Sequence, residues 1–265
     1  MRPAAFAPEL AQIVEDVHAE YFAHLAAVPG LEVHIDPDIA WKVSPGAAWS
    51  NCGVRLRLSG AKIKARLDQI LARYHANGRG AGFWVGPAAT PADLETLLKS
   101  RALHCRKYFP AMYCDLGKMR APQQPRDPVR CEIVTDYGIF RHHPHPSLGR
   151  ITTAIRRFGL AAQCRLAELT PRCSWDFAAM LDGVPVGIGT VFIGAHHAGV
   201  FDVGVLESFR NRGIGRALVR HACEFARCQG VEGAILIATN LAYGVYEHVG
   251  FREVARFGFW YTARP

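Results

Sequence analysis

One stretch constrains this chain more than any other: Val203-Gly204-Val205-Leu206-Glu207-Ser208-Phe209-Arg210-Asn211-Arg212-Gly213-Ile214-Gly215-Arg216. A strand ends, a turn dense in arginine and glycine follows, and a helix begins. Ile214, Leu218, His221, Ala222 and Phe225 recur at helical spacing and mark the buried face of a helix over 214–229. The first turn of such a helix has backbone N–H groups with no intrahelical partner, and the helix dipole adds positive potential there. Together they form an anion site. Gly213 and Gly215 let a pyrophosphate approach the backbone closely, and Arg210, Arg212 and Arg216 add positive charge around it. No Gly-Lys-Ser/Thr follows, which excludes a Walker loop. A Rossmann fingerprint fits poorly, because Val219 follows where a third glycine should be close.

The second informative stretch runs from Asn240 to Phe251, after the buried strand Ala234-Ile235-Leu236-Ile237-Ala238. With both stretches in view, the chain resembles the GNAT superfamily of N-acyltransferases. That family carries Gln/Arg-x-x-Gly-x-Gly/Ala after its fourth strand. A fifth strand comes next, and then a segment marked by Asn, Ala, Tyr and a closing Gly-Phe. Arg210, Gly213 and Gly215 supply the first part here; Asn240, Ala242, Tyr246, Gly250 and Phe251 supply the second. The resemblance covers about 131–265. It implies an α/β fold (α+β, with a mixed sheet) of the GNAT type, in tandem, and acetyl-CoA as co-substrate, with no metal and no covalent enzyme intermediate.

The same resemblance implies roles residue by residue. The backbone of Val203, Gly204 and Val205 pairs with the pantetheine arm. The amides of Asn211, Arg212, Gly213, Ile214, Gly215 and Arg216 hold the pyrophosphate. Asn240 contacts the pantetheine region, and the Tyr246 hydroxyl protonates the departing thiolate. A phenol suits that task because it keeps its proton at pH 7. A deprotonated amine attacks the thioester directly in a ternary complex. The sequence departs from the family at Glu207, where many relatives have Pro, and at Asn211, where they have Gly; Asn tolerates a left-handed backbone. Gly199 stands where histone-type relatives carry a catalytic Glu, so the general base is open among Asp202, Glu207, His196, His197 and a water chain. Two alternatives to acetyl transfer stand beside it. One is a non-catalytic acyl-CoA-binding module. The other is a transferase for a longer acyl group, its pocket widened by Gly187, Gly189 and Gly204.

The chain has 265 residues, more than one typical domain needs. Its three-proline stretch Ala121-Pro122-Gln123-Gln124-Pro125-Arg126-Asp127-Pro128 reads as a linker. The expected layout is therefore an accessory domain over 1–120, a linker over 121–130 and a catalytic domain over 131–265. Within 1–120 the expected order is a helix over 61–76, a strand over 82–85, a helix opened by Thr90 and Pro91, and a strand over 110–116. That is the order of a GNAT second half without Arg-x-x-Gly-x-Gly, so this part resembles a degenerate GNAT domain that does not bind coenzyme A. In the C-terminal part, Asp182-Gly183 between apolar runs signals a hairpin.

Composition narrows the function classes. Net charge is +8, enough to steer phosphates toward the protein. The basic residues are scattered, so no nucleic-acid partner is expected. No apolar run reaches the roughly 18 residues of a membrane span, and the N-terminus has no signal-peptide core. The expectation is a cytoplasmic protein, monomer or homodimer, acting on an amine-bearing acceptor. The eight cysteines form no Cys-x-x-Cys pair and are expected to be reduced and mostly buried. Cys105, beside His104, has no visible catalytic partner. His142, His143 and His145 lie in a proline-broken loop and are expected to be surface rather than a metal site.

Overall fold

α1 (Pro8–Leu25) buries Ala11, Val14, Val17, Phe22 and Leu25, which recur at helical spacing. The structure, a computed structural model, describes residues 8–44, 51–60, 63–76, 78, 80–123, 125–142 and 153–262, with side chains over these ranges except 141–142 and 153–158. By its internal contacts the chain divides into two compact units: Met1–Ala111 with Glu253–Pro265, and Met112–Arg252.

In the first unit α1 leads into β1 (Glu32–Ile35), β2 (Ala40–Val43) and β3 (Cys52–Val54), each antiparallel to its predecessor. α2 (Ile63–Ala76) then crosses to β4 (Gly82–Val85), which lies parallel to β3 through Gly53 and Phe83. α3 (Leu94–Lys99) and β5 (Leu103–Asp115) follow. The expectation that Thr90 and Pro91 open α3 is corrected. The Thr90 hydroxyl donates to the Leu58 carbonyl at 3.1 Å and its N–H to Leu56, so Thr90 is held by the preceding segment and the helix starts at Leu94. Trp41, Leu56, Leu67, Tyr74, Phe83 and Trp260 centre the core. Trp260 comes from the chain's last strand, which runs antiparallel to β4 with Gly258 opposite Val85 and Tyr261 opposite Gly82.

In the second unit, β6 (Arg130–Ile133), the short helix α4 (Ile139–His142) and α5 (Thr153–Ala167) precede a three-stranded antiparallel run. This is β7 (Ser174–Leu181), β8 (Val184–Ile193) and β9 (His197–Val205), with β6 antiparallel on the outer edge of β7. Asp182 and Gly183 both take positive φ, 50° and 78°, the two-residue hairpin turn whose twist matches its strands. α6 (Ile214–Cys228) carries the chain to β10 (Gly233–Ile237), parallel to β9. α7 (Tyr243–Val249) and β11 (Arg252–Thr262) complete the chain. Period-two alternation sorts the side chains of β7. Phe177 and Ala179 pack with Leu218, Ala222 and Leu236, while Ala178 joins Val134, Tyr137, Phe140 and Ile188 on the other face.

The two halves of the chain have the same order of elements. α1-β1-β2-β3-α2-β4-α3-β5 corresponds to α5-β7-β8-β9-α6-β10-α7-β11, with two antiparallel pairings and then one parallel pairing in each. The closing strand of each run departs from the simple division by sequence. Met112–Asp115 of β5 belong to the second unit and Glu253–Thr262 of β11 to the first.

Candidate active site

The β9–β10 ladder is short. Gly233 pairs with His197, Ala234 with Ala198 and Ile235 with Gly199, and there the register ends, although β9 runs on to Val205 and β10 to Ile237. On its other edge β9 stays paired with β8, through Gly204 with Ile188 and Val205 with Gly187. Between those pairs and Phe201–Thr190 the register shifts. β9 holds one extra residue there, and Asp202 has φ 51°. An extra residue on one strand bends it and sharpens its twist. The strand carrying Val203, Gly204 and Val205 therefore runs beyond its parallel neighbour toward the arginine–glycine turn.

That turn begins with one turn of 3-10 helix, Glu207–Phe209. Asn211 takes the left-handed conformation, φ 62°, and Gly213, the N-cap of α6, has φ 87°. No side chain caps this helix end. The Arg210 Nε donates to the Val205 carbonyl at 3.2 Å. Arg212 donates to the Ser208 carbonyl at 3.1 Å and lies over the Phe209 ring. Arg216 donates to Gln123 Oε1 at 2.6 Å, while its buried Nε has no hydrogen-bond partner among the described residues. A β-carbon on Gly215 would sit 3.5 Å from Val205 and 3.7 Å from Val245, so the end of β9, the start of α6 and α7 converge here. An uncapped helix end, two left-handed residues, three guanidinium groups and an orphaned buried donor fit a polyphosphate.

At the same end of the parallel strands, α7 presents Tyr246. Its ring packs edge-on against Phe251 and is 8% exposed. Burial, and then the negative charge of Asp202, push its phenol up to about 12. The structure thus brings Tyr246 and Asp202 into electrostatic reach of each other. Asn240 is exposed after β10. Among the candidate bases, Glu207 is exposed on the 3-10 turn. His197 pairs with Gly233 at the opposite end of β9, about 17 Å of strand from Asp202 at the usual rise, and His196 precedes it. Gly199 is engaged in both of its ladders.

Other expectations resolve on packing. A β-carbon on Gly187 would meet Leu218 at 2.7 Å, so its smallness admits α6 against β8. Cys52, Cys114 and Cys223 are buried, but Cys164 and Cys228 are exposed and the other three half-buried, so burial holds for fewer cysteines than expected. Burial raises the Cys105 thiol, away from a reactive thiolate. No group of metal-ligating side chains occurs among the described residues; residues 143–152, with His143 and His145, lie outside them. No helix among the described residues is long and apolar enough to cross a membrane.

No local pattern signals that Gln123 and Asp127 reach this turn. Asp127 pairs with Arg212 at 3.3 Å and Gln123 with Arg216, 85 and 93 residues apart in the chain. Nor does a local pattern signal the buried polar set in which the Tyr137 hydroxyl donates to Asp176 at 2.5 Å and Thr190 donates to the same carboxylate. Periodicity reports neither kind of long-range contact.

Residues 147–251 match the model of the acetyltransferase (GNAT) family. A segment covering 21% of the chain is 36% identical to N-acetyltransferase family 8 member 3 of Rattus norvegicus, and spans 25% of that relative's length. Two solved structures share the fold over nearly the whole chain. A GCN5-related N-acetyltransferase from Kribbella flavida superposes with a TM-score of 0.65 at 16% identity, covering 94% of this chain and 95% of its own. A tandem GNAT protein from the clavulanic acid biosynthesis pathway does so with a TM-score of 0.61 at 15% identity, covering 99% and 97%. Residues 147–251 thus carry the pattern of the GNAT acetyltransferases, and the chain as a whole shares the mixed α/β fold of a tandem GNAT protein.

Proposed function

We propose that the protein transfers an acetyl group from acetyl-CoA to an amine by direct attack in a ternary complex. The observation that carries the reading is the ending of the β9–β10 ladder at Gly199–Ile235, while β9 runs on to Val205 and leads into an uncapped, arginine-rich helix end, with the buried phenol of Tyr246 in electrostatic reach of Asp202 on the same strand. In this reading the backbone of Val203–Val205 pairs with the pantetheine arm, and the amides of residues 211–216, with Arg210, hold the pyrophosphate. Asn240 contacts the pantetheine region. Tyr246 gives its proton to the departing sulfur as the new C–N bond forms and the C–S bond breaks. The division of labour is 131–265 as the catalytic part, 121–130 as connector and 1–120 as a part that does not bind the cofactor. In support of the last point, buried Leu56 and Leu58 fill the connection after β3, and Arg57 is paired with buried Glu15.

Asp202 is the proposed partner of the acceptor. It is the candidate carboxylate whose charge reaches Tyr246, and an ionised carboxylate at this place holds a cationic amine and takes its proton. Asn tolerates the left-handed backbone at this position as well as Asp does, so Asp202→Asn removes charge without adding strain. The expected result is a fall of about 100-fold in kcat/KM for a cationic amine, with the Kd for acetyl-CoA unchanged. Equal turnover by wild type and variant would remove Asp202 from this role.

The reading as a whole is tested by calorimetric titration of the protein with acetyl-CoA, followed by a screen of amines for free-thiol release. Micromolar binding and acceptor-dependent thiol release are expected. Binding without release for any amine class would favour a non-catalytic acyl-CoA-binding module, and no binding would end the acetyl-CoA reading.

A further inference from the structure

The connector packs on the arginine–glycine turn in the second unit. The Arg126 N–H donates to the Arg212 carbonyl at 2.9 Å. A β-carbon on Gly213 would lie 3.0 Å from the Pro125 α-carbon. Asp127 and Gln123 hold the guanidinium groups of Arg212 and Arg216. In a trans peptide the carbonyl and the N–H point in opposite directions. With the Arg212 carbonyl bonded to the connector, the Gly213 N–H must point away from it. Glycine accepts either sign of φ, so the peptide before Gly213 is one that could turn over if nothing held its carbonyl. Pro125 and Pro128 flank Arg126 and Asp127, fixing the connector's backbone and leaving few N–H groups to bond elsewhere.

We propose that the connector is a positioning element of the cofactor site: the Arg126 N–H locks the Arg212–Gly213 peptide so that the Gly213 amide faces the phosphates, with Gln123 and Asp127 setting the flanking guanidinium groups. This inference rests on the acyl-CoA reading above. It gives the linker a role in binding affinity and not only in joining the two parts of the chain.

The test compares Arg126→Pro, which removes the backbone donor, with Arg126→Ala, which removes only an exposed side chain. Calorimetry with acetyl-CoA should show Kd raised about tenfold in Arg126→Pro, because the released Gly213 amide loses its one hydrogen bond to a charged phosphate, and unchanged in Arg126→Ala. Binding of S-acetylpantetheine, which lacks the nucleotide phosphates, followed by ligand-observed NMR, should be equal in all three proteins. A merely structural role would weaken both ligands alike. Wild type supplies a readout independent of the variant's folding: the Arg126 amide should remain protected from hydrogen exchange when acetyl-CoA binds, and the Gly213 amide should become protected. Unchanged or tighter acetyl-CoA binding by Arg126→Pro, or loss of Arg126 protection on binding, overturns the proposal while leaving the acetyl-CoA reading intact. Failure of wild type to bind acetyl-CoA overturns both.

Discussion

Gly213→Asp should weaken acetyl-CoA binding by about 1,000-fold, with the fold retained. Three effects add. The residue has φ 87°, where an L side chain costs about 1–2 kcal/mol. The added β-carbon would lie 3.0 Å from the Pro125 α-carbon, which is backbone and cannot rotate away, so the turn itself must shift. The carboxylate then stands at the start of α6, where it competes for the N–H groups proposed to hold the pyrophosphate and repels its charge. An Asp at a helix N-terminus is otherwise favourable, so α6 should persist. Together these amount to about 4 kcal/mol, or about three decades in Kd. Gly213→Ala has the strain and the close contact without the charge, and should lose about tenfold. Calorimetry on both variants, with melting curves as the control, separates the electrostatic part from the steric part. Equal losses in the two would mean that the loop's shape matters and that no anion sits there.

The legibility of this molecule in its sequence was uneven for identifiable reasons. Elements with strong local signals were readable: the Asp182-Gly183 hairpin, the amphipathic α6, and the strand–turn–helix around Gly213. Each is decided by residues within one or two turns of one another. The start of α3 is not set locally, because Thr90 is held by Leu56 and Leu58, more than thirty residues away. β1 has no strand signal of its own, because its four residues, Glu-Val-His-Ile, owe their strand state to pairing with β2. The placement of β11 with the first unit had no sequence signature either, since a strand's alternation does not say which neighbour it will meet. At the site, the motif located the turn. What it could not supply was the extra residue in β9 that places Asp202 within reach of Tyr246, because a bulge depends on the register of two strands and not on one.

Tyr246→Phe should lower kcat by about 100-fold with an acceptor found by the thiol-release screen, the usual worth of a positioned general acid, while the Kd for acetyl-CoA stays within about twofold. The phenyl ring preserves the edge-on packing against Phe251, so the change removes a proton and little else. The sign of the pH dependence follows from the causes of the shift. Burial disfavours the phenolate and the Asp202 carboxylate repels it, which pushes the phenol up to about 12. The proton-bearing form is therefore retained across neutral and moderately alkaline pH and is lost only as pH rises through about 12. In wild type, no loss of kcat near pH 10 should come from this group. Asp202→Asn removes the repulsion, so its phenol should titrate lower than in wild type, and its residual activity should fall off earlier on the alkaline side. A Tyr246→Phe enzyme with full kcat would make Tyr246 a packing residue. A Tyr246→Phe enzyme slowed as expected, beside an Asp202→Asn enzyme with an unshifted alkaline limb, would keep the acid and break its proposed coupling to the carboxylate.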